Sequence, residues 1–582
     1  MAVRMLDSPP LGTQGRAPLG LVLAVVIGAL ALYLPGIGVG DFVGDDEALD
    51  AGVVWEMARS GDWFFPEFNG EYLPPKPPLF YWVARLSSLA HGGVDEWSQR
   101  APSALAAATT VGLTVAGAAP LVGAGPAVLS GVMLATMPVM RGEARMGRCD
   151  MLLTLLVTAC LMLLARARDP MQRATSWLFW FLLGLVAICK GGAGVGLVVV
   201  VLVALACAER STAKVRGLIG PAIGAFVVVV GAWYGLASFH WGARFVDEQI
   251  VGENLRHLIG GGGVSDQGTR TRSLFYHLGF YPRELFSTML PWSLLLPVAL
   301  LEWWRNQTPS KSRFFVFWVL SGLAFFTLAS RKSPYYLLPL SPAVAVLAAS
   351  WTFPRVHESL ATRRFDLGFS ARWLVLPLAT AVIAWLSTFV LPSQPCELAA
   401  VSTTLGGHPF SSIGSLWLFL VSAALLAQAA RQRHWAVGIG ATACMVAGVF
   451  LIADRIEGPL DGCASLKPFA RQIAAGTRPT DRIWFFRYPL PAVALYTERR
   501  IPTLRDPATA SPTRPFYLIV PQSLAPEVPA SWREASKSVA QARARVFTRR
   551  RMGIELIRVG TPPEGSAQWT ARAPLMRSNR RD

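Results

Sequence analysis

The sequence predicts an all-α polytopic membrane protein carrying a small α/β domain at its C-terminal end. Three observations predict it. Hydrophobic residues make up 53% of the 582 and charged ones only 15%, too little charge to cover a soluble chain, so lipid must be the main solvent. Apolar runs of about 20 residues, the length that crosses a bilayer, recur along most of the chain. Beyond residue 454 the composition turns soluble, with strand-like runs at Arg482–Phe486, Phe516–Val520 and Ile554–Val559 and helical stretches such as Leu466–Ala475.

The apolar runs predict about 13 spans, near 18–39, 101–122, 125–141, 151–165, 176–189, 193–208, 217–238, 286–304, 313–330, 335–353, 371–391, 412–430 and 435–453. The first, Leu19–Val39, is longer than a signal-peptide core and lacks a clear cleavage site, so it reads as a span. Arg166, Arg168 and Arg173 share one connection, and Arg210, Lys214 and Arg216 another. Arg305, Lys311 and Arg313 follow, then Arg355, Arg363, Arg364 and Arg372, then Arg431 and Arg433. With 13 spans all of these fall on one face with Arg4 and Arg16, and the positive-inside rule makes that face cytoplasmic. Topology therefore explains the formal charge of +18 without a nucleic-acid partner. The expected organisation is a cytoplasmic tail over 1–17, a transmembrane domain over 18–453 with outer loops 40–100 and 239–285, an outer α/β domain over 454–565 and a disordered basic tail over 566–582.

The opposite face carries the unusual residues. After the first span comes Asp45-Asp46-Glu47, then Ala48–Arg59 with helical spacing and Gly61 as its stop, expected to lie along the interface. Pro74–Pro78 is a stiff extended run that holds Lys76. Turns at Asp150, Lys190 and Arg331-Lys332 share this face. Ionisable groups at a membrane surface point to a polar cavity facing outward. On residues alone the three acids either cap the helix that follows or act as a base or metal site. Of the seven cysteines, Cys160, Cys189, Cys207 and Cys444 read as packing residues, while Cys396 and Cys463 fall on the oxidising side, where a disulfide between them is a hypothesis. The seven histidines are dispersed without metal-ligand spacing.

Gly44–Ala48, the Ser60-Gly61-Asp62-Trp63 turn, Asn69-Gly70 and Lys76-Pro77-Pro78-Leu79-Phe80-Tyr81-Trp82 resemble polyprenyl-phosphate-sugar-dependent glycosyltransferases with the C-type fold. The resemblance is to the branch holding the lipid A aminoarabinose transferase and relatives of the protein O-mannosyltransferases. Ala144–Thr154 is similar to that family's second acidic motif and Lys190-Gly191-Gly192 to its Lys-Gly-Pro turn. Glu253–Arg256, Leu290-Pro291-Trp292 and Ser330–Pro339 follow in the family's order, so the match covers residues 20 to about 350. Leu49-Asp50 stands where relatives often have Arg-Tyr, which removes a cation near the acids, and Gly192 stands where they have Pro.

The resemblance implies a multi-pass inner-membrane enzyme, its N-terminus cytoplasmic and its α/β domain periplasmic. It would move a sugar from a polyprenyl (undecaprenyl) phosphate to lipid A, another glycolipid or a protein hydroxyl, with no cofactor required. Displacement at the anomeric carbon needs a base for the acceptor and cations for the leaving phosphate. Asp46 is the candidate base, with Glu47 positioning it or the acceptor, a swap of roles staying open; Asp150 is a second cavity carboxylate or a cap on the helix from Met151. Lys76, Lys190 and Lys332 suit the phosphate, or else snorkel to head groups. Arg145 and Arg148 flank Asp150, either pairing with it or contacting substrate; Arg331, Tyr336 and Glu253 complete the candidate substrate set, Glu253 reading more readily as an ordinary loop carboxylate. Tyr81 and Trp82 read as interface anchors. A divalent ion at Asp45-Asp46-Glu47 is conceivable, but the scheme does not need one. Acceptor choice is expected to rest with loop 239–285 and the tail, and Gly260–Gly263 to make that loop a mobile lid. A transporter or flippase of a lipid-linked sugar is the rival reading; it predicts polar breaks at the bilayer midplane, whereas here the charges gather at one surface.

Overall fold

A computed structural model describes residues 15–42, 45–167, 172–209, 218, 220–256, 274–306, 310–329, 332–361, 424–425, 428, 435–462, 465–507, 515–534, 536–545 and 551–560. It divides into two compact units: Met1–Gly40, Val53–Pro66 and Leu73–Leu460 form the first, and Asp41–Gly52, Glu67–Tyr72 and Asp461–Asp582 the second. The proposed Cys396–Cys463 bridge and the glycine run 260–263 lie outside the described residues.

The first unit is helical. In chain order it holds α1 (Leu19–Tyr33), part of α2 (Asp45–Ser60), α3 (Leu79–His91), α4 (Glu96–Val122), α5 (Ala124–Ala135), α6 (Pro138–Ala144), α7 (Asp150–Arg166), α8 (Arg173–Lys190), α9 (Gly192–Glu209) and α10 (Ile223–Trp241). A π-helical segment, Val246–Arg256, precedes α11 (Leu274–Thr288), α12 (Leu296–Asn306), α13 (Ser310–Leu328), a 3-10 turn at Pro334–Leu340, α14 (Ser341–Ala361) and α15 (Trp435–Gly462).

Helix α4 organises this unit. Asp95 starts it with a capping box: Ser98 N–H donates to its carboxylate at 2.8 Å while its own N–H donates to Ser98 Oγ at 2.9 Å. At 27 residues α4 is about 40 Å long, more than a bilayer core. Its buried face is rich in alanine and glycine, so neighbouring helices come close. A Cβ at Gly117 would stand 2.8 Å from Met162 of α7, and one at Gly112 2.6 Å from Val26 of α1. Arg100, buried on α4, donates to the carbonyls of Ile37 and Gly40 at 2.8 and 2.7 Å and ties down the chain leaving α1.

Four described helices are long and apolar enough to cross a membrane, or five if the pair Tyr276–Thr288 and Trp292–Arg305, bent by 115°, counts as one broken span. Five more are apolar but shorter, among them Leu19–Tyr33 and Gly192–Ala208. The described residues do not by themselves supply the expected 13 spans, and of 412–430 only residues 424, 425 and 428 are described. Hydropathy windows run through breaks that the backbone makes: 125–141 is split where α5 ends and Pro138 opens α6. The expected span 371–391 falls outside the described residues. A second difference concerns α2. Expected as an interfacial helix, it buries Ala51, Val54 and Met57, and with them Glu47, Asp50 and Glu56.

In the second unit, β1 (Ile483–Phe486), β2 (Thr503–Leu504), β3 (Phe516–Pro521), β4 (Ser536–Arg545) and β5 (Arg551–Val559) form one sheet in the order β2-β1-β3-β5-β4. β1 is parallel to β2 and β3, while β5 is antiparallel to β3 and β4, with Phe516 opposite Val559. β3 is buried at every residue, which its unbroken apolar run requires of a central strand. Phe486, Leu518, Val520, Trp532 and Ile557 form the core on one side. The pieces of outer loop in this unit are bound tightly. Ile501 N–H donates to Asn69 Oδ1 at 2.7 Å, Asn69 Nδ2 donates back to the Ile501 carbonyl, and Tyr72 Oη donates to Thr503 Oγ1 at 2.9 Å. Asn69 and Gly70 both have positive φ, 59° and 70°, which is why this turn takes Asn-Gly.

Candidate active site

Within the first unit a cavity of about 490 Å³ opens between α7, α8, α9, α13, the Pro74–Pro78 run, the π-helical segment and the 3-10 turn. Most of its wall is apolar, from Leu153, Leu197, Ile250, Phe325 and Phe326; the charged groups on it are Lys76, Asp150 and Lys190.

Each charged group is placed by local sequence. Asp150 stands in the first turn of α7, where a carboxylate meets the positive end of the helix dipole. Lys190 stands in the last turn of α8, where a cation is favoured. Gly191 then reverses the chain at φ 76°, a conformation costly for other residues, so α9 begins at once beside Lys190. Glycines 194 and 196 keep the α9 wall thin: a Cβ at Gly196 would meet the Phe325 ring at 2.8 Å, and one at Gly194 would meet Leu153 and Val186 at 2.7 Å.

These groups form a network. Lys190 Nζ donates to Asp150 Oδ1 in a direct ion pair. Arg148 lies 3.8 Å from Asp150 Oδ2 and donates to Glu143 Oε2 at 2.7 Å. The Arg148 guanidinium sits 4.6 Å over the Tyr335 ring, and Lys190 Nζ is 5.4 Å from the rings of both Tyr335 and Tyr336. Lys76 is near enough to act on the charge of Asp150. Among the described residues the cavity wall thus carries Lys76, Lys190 and Asp150, with Arg148 and Glu143 paired behind them. Gln249, buried, donates to the Pro74 carbonyl at 2.6 Å and joins the π-helical segment to the run that carries Lys76.

The structure therefore brings together Lys76, Asp150, Lys190, Arg148 and Tyr336 of the expected set. Two others make backbone contacts. Arg145 donates to the carbonyls of Tyr33, at 3.3 Å, and Pro35, at the C-terminal end of α1. Lys332 donates to the carbonyls of Phe326, at 3.2 Å, and Thr327, at 2.6 Å, at the end of α13 and does not line the cavity. Burial holds its ammonium below the ordinary lysine pKa. Asp46 is exposed and Glu47 buried in the first turn of α2. Arg331 and the side chains of Asp45 and Glu253 lie outside the described residues. Glu143, Gln249 and Tyr335 are additions; Glu143 had a signal, an acid immediately before the Ala144–Thr154 motif that holds Arg148, whereas Gln249 had none. Among the described residues no group of three His, Cys, Asp or Glu is placed to hold a metal ion.

A family model described as dolichyl-phosphate-mannose-protein mannosyltransferase matches residues 75–234. An undecaprenyl phosphate-alpha-4-amino-4-deoxy-L-arabinose arabinosyl transferase of Pseudomonas fluorescens is 29% identical over 339 residues, 56% of this chain and 56% of its own. The transferase of that description from Pseudomonas aeruginosa is 27% identical over 378 residues, covering 62% of this chain and 65% of its own. The alignments thus span less than two thirds of these relatives. The crystal structure of ArnT from Cupriavidus metallidurans bound to undecaprenyl phosphate superposes with a TM-score of 0.68 at 21% identity, covering 93% of this chain and 98% of that one, which establishes the fold. Motif order and overall fold point the same way: the chain has the fold of that ArnT structure, and over residues 75–234 it is similar to the dolichyl-phosphate-mannose-protein mannosyltransferase family.

Proposed function

We propose that this chain transfers a sugar from a polyprenyl-phosphate carrier to an acceptor at the outer face of the membrane, with the carrier phosphate at Lys76 and Lys190. The observation that carries the reading is the cavity itself, an apolar wall on which Lys76, Lys190 and Asp150 gather. An isoprenoid tail and its phosphate need that pairing: tail against Phe325, Phe326 and Leu197, phosphate on the two ammonium groups. In the step, the base takes the proton of the acceptor hydroxyl, the new C–O bond forms at the anomeric carbon, and the old one breaks to release polyprenyl phosphate. The lysines neutralise the charge that develops on the departing phosphate. Asp46 is the base of this proposal and Glu47 its positioning partner. Asp150, held by Lys190 and Arg148, keeps the cations in place rather than taking a proton. The names of the relatives favour 4-amino-4-deoxy-arabinose as the sugar and undecaprenyl phosphate as the carrier. The acceptor class is lipid A, another glycolipid or a protein hydroxyl.

The test is transfer of radiolabel from undecaprenyl-phosphate sugars in host membranes by the wild-type protein, Asp46→Asn and Lys190→Ala. Label reaching a lipid or protein with the wild type alone supports the reaction and identifies the acceptor. Equal transfer by Asp46→Asn removes Asp46 as the base, and no transfer by the wild type removes the proposal.

A further inference from the structure

A second hollow of the first unit takes no part in this chemistry. It lies where α4, α7 and α8 meet, encloses about 540 Å³, and receives one stripe from each helix. α7 contributes Ala159, Met162, Leu163 and Arg166, and α8 contributes Thr175, Leu178 and Leu182, spacings that place each set on one helix face. Leu113 and Gly117 of α4 complete the lining, with Met162 packed closely against Gly117.

Polarity is graded along the hollow. Arg166, Gln172 and Thr175 gather at the end beside the α7–α8 connection, while Leu113, Leu178 and Leu182 line the rest. Arg166 and Gln172 are exposed and Leu178 is 46% exposed, so the hollow is an open groove on the side of the helices. It is remote from the cavity: Arg173 and Lys190 are opposite ends of the 18-residue α8, about 27 Å apart by helical rise. The nearby connection, with Arg166, Arg168 and Arg173, is one of those the arginine excess assigns to the cytoplasmic face.

A guanidinium, an amide and a hydroxyl at one end of an aliphatic groove are complementary to an amphiphile with an anionic head. We propose that this groove binds an anionic phospholipid of the cytoplasmic leaflet, its phosphate on Arg166 with Gln172 and Thr175, and an acyl chain along Leu113, Leu178 and Leu182. Such basic pockets between spanning helices suit acidic head groups in that leaflet. The inference goes beyond the transfer reaction and does not depend on it.

The experiment is native mass spectrometry of the full-length protein in mild detergent with added phosphatidylglycerol, phosphatidylcholine or undecaprenyl phosphate. Expected are preferential retention of phosphatidylglycerol by the wild type and a loss of about tenfold in Arg166→Ala, the effect of one charge-assisted contact. Arg166→Lys should restore most of it, and Leu178→Trp should reduce retention whatever the head group. Lys76→Ala, at the other cavity, should leave phosphatidylglycerol retention unchanged. Equal retention of both phospholipids by the wild type, undiminished retention by Arg166→Ala and Leu178→Trp, sole retention of undecaprenyl phosphate, or loss with Lys76→Ala would each overturn the proposal.

Discussion

Asp150 and Lys190 are both largely removed from water, their side chains 8% and 12% exposed, and they satisfy one another. Removing one partner leaves the other buried and charged, which costs about 3–5 kcal/mol. Asp150→Asn is therefore expected to lower the melting temperature sharply, read by thermal unfolding in detergent. Asp150→Leu combined with Lys190→Met should recover stability, because replacing both charges with apolar groups of similar size is tolerated. Donor transfer should stay lost in the double variant; activity surviving there would show that Lys190 does not hold the phosphate. Lys76 differs because its proline neighbours stiffen it. Lys76→Met should raise the donor KM about tenfold or more while leaving folding intact, and an unchanged KM in a transfer assay would remove it from the site. Asp150 and Lys190 were legible as candidates because ionisable residues bordering apolar runs are rare. Their direct pairing was not legible, since 40 residues separate them and only helix packing brings the ends of α7 and α8 together.

At the scale of elements, backbone conformation explains several motif residues. Gly191 sits at φ 76° between α8 and α9. Gly191→Ala should cost about 1 kcal/mol or more in stability, because the turn demands a left-handed backbone. Gly196→Val should act differently, by pushing Phe325 across the cavity. Reduced binding of polyprenyl phosphate with little change in melting temperature is the expected pattern, and unaltered binding would exclude this wall from the site. The Asn69-Gly70 pair was read as part of a family motif, and its physical task is a clasp on the segment at Ile501. Asn69→Ala strips two buried backbone groups of their partner and should destabilise the α/β unit by about 1–3 kcal/mol, measured by proteolytic release of that unit. Arg145 and Lys332 show the opposite limit of motif reading. A cation within a family motif invites an electrostatic role, yet both donate to carbonyls at helix C-terminal ends, which attract cations without any ligand.

For the whole molecule, arginine-rich connections on one face predict a cytoplasmic N-terminus and an outer α/β unit. Single cysteines placed at the N-terminus and at Gln541 should label from opposite sides of sealed vesicles, and labelling from one side would reject that topology. The sequence by itself determined the membrane class, the strand runs of the α/β unit and the order of the motifs, because each depends on composition or on spacing within one element. The tertiary structure decided what depends on meeting between elements. It showed that Asp150 is engaged by Lys190 and Arg148, that Gln249 holds the Pro74 carbonyl, and that Lys332 leaves the cavity. It also showed that α5 and α6 divide an apolar run that hydropathy alone joins. Periodicity records which face of an element is apolar, but not which other element will cover it. A site assembled from α7, α8, α9 and α13 therefore becomes visible only when their packing sets the distances.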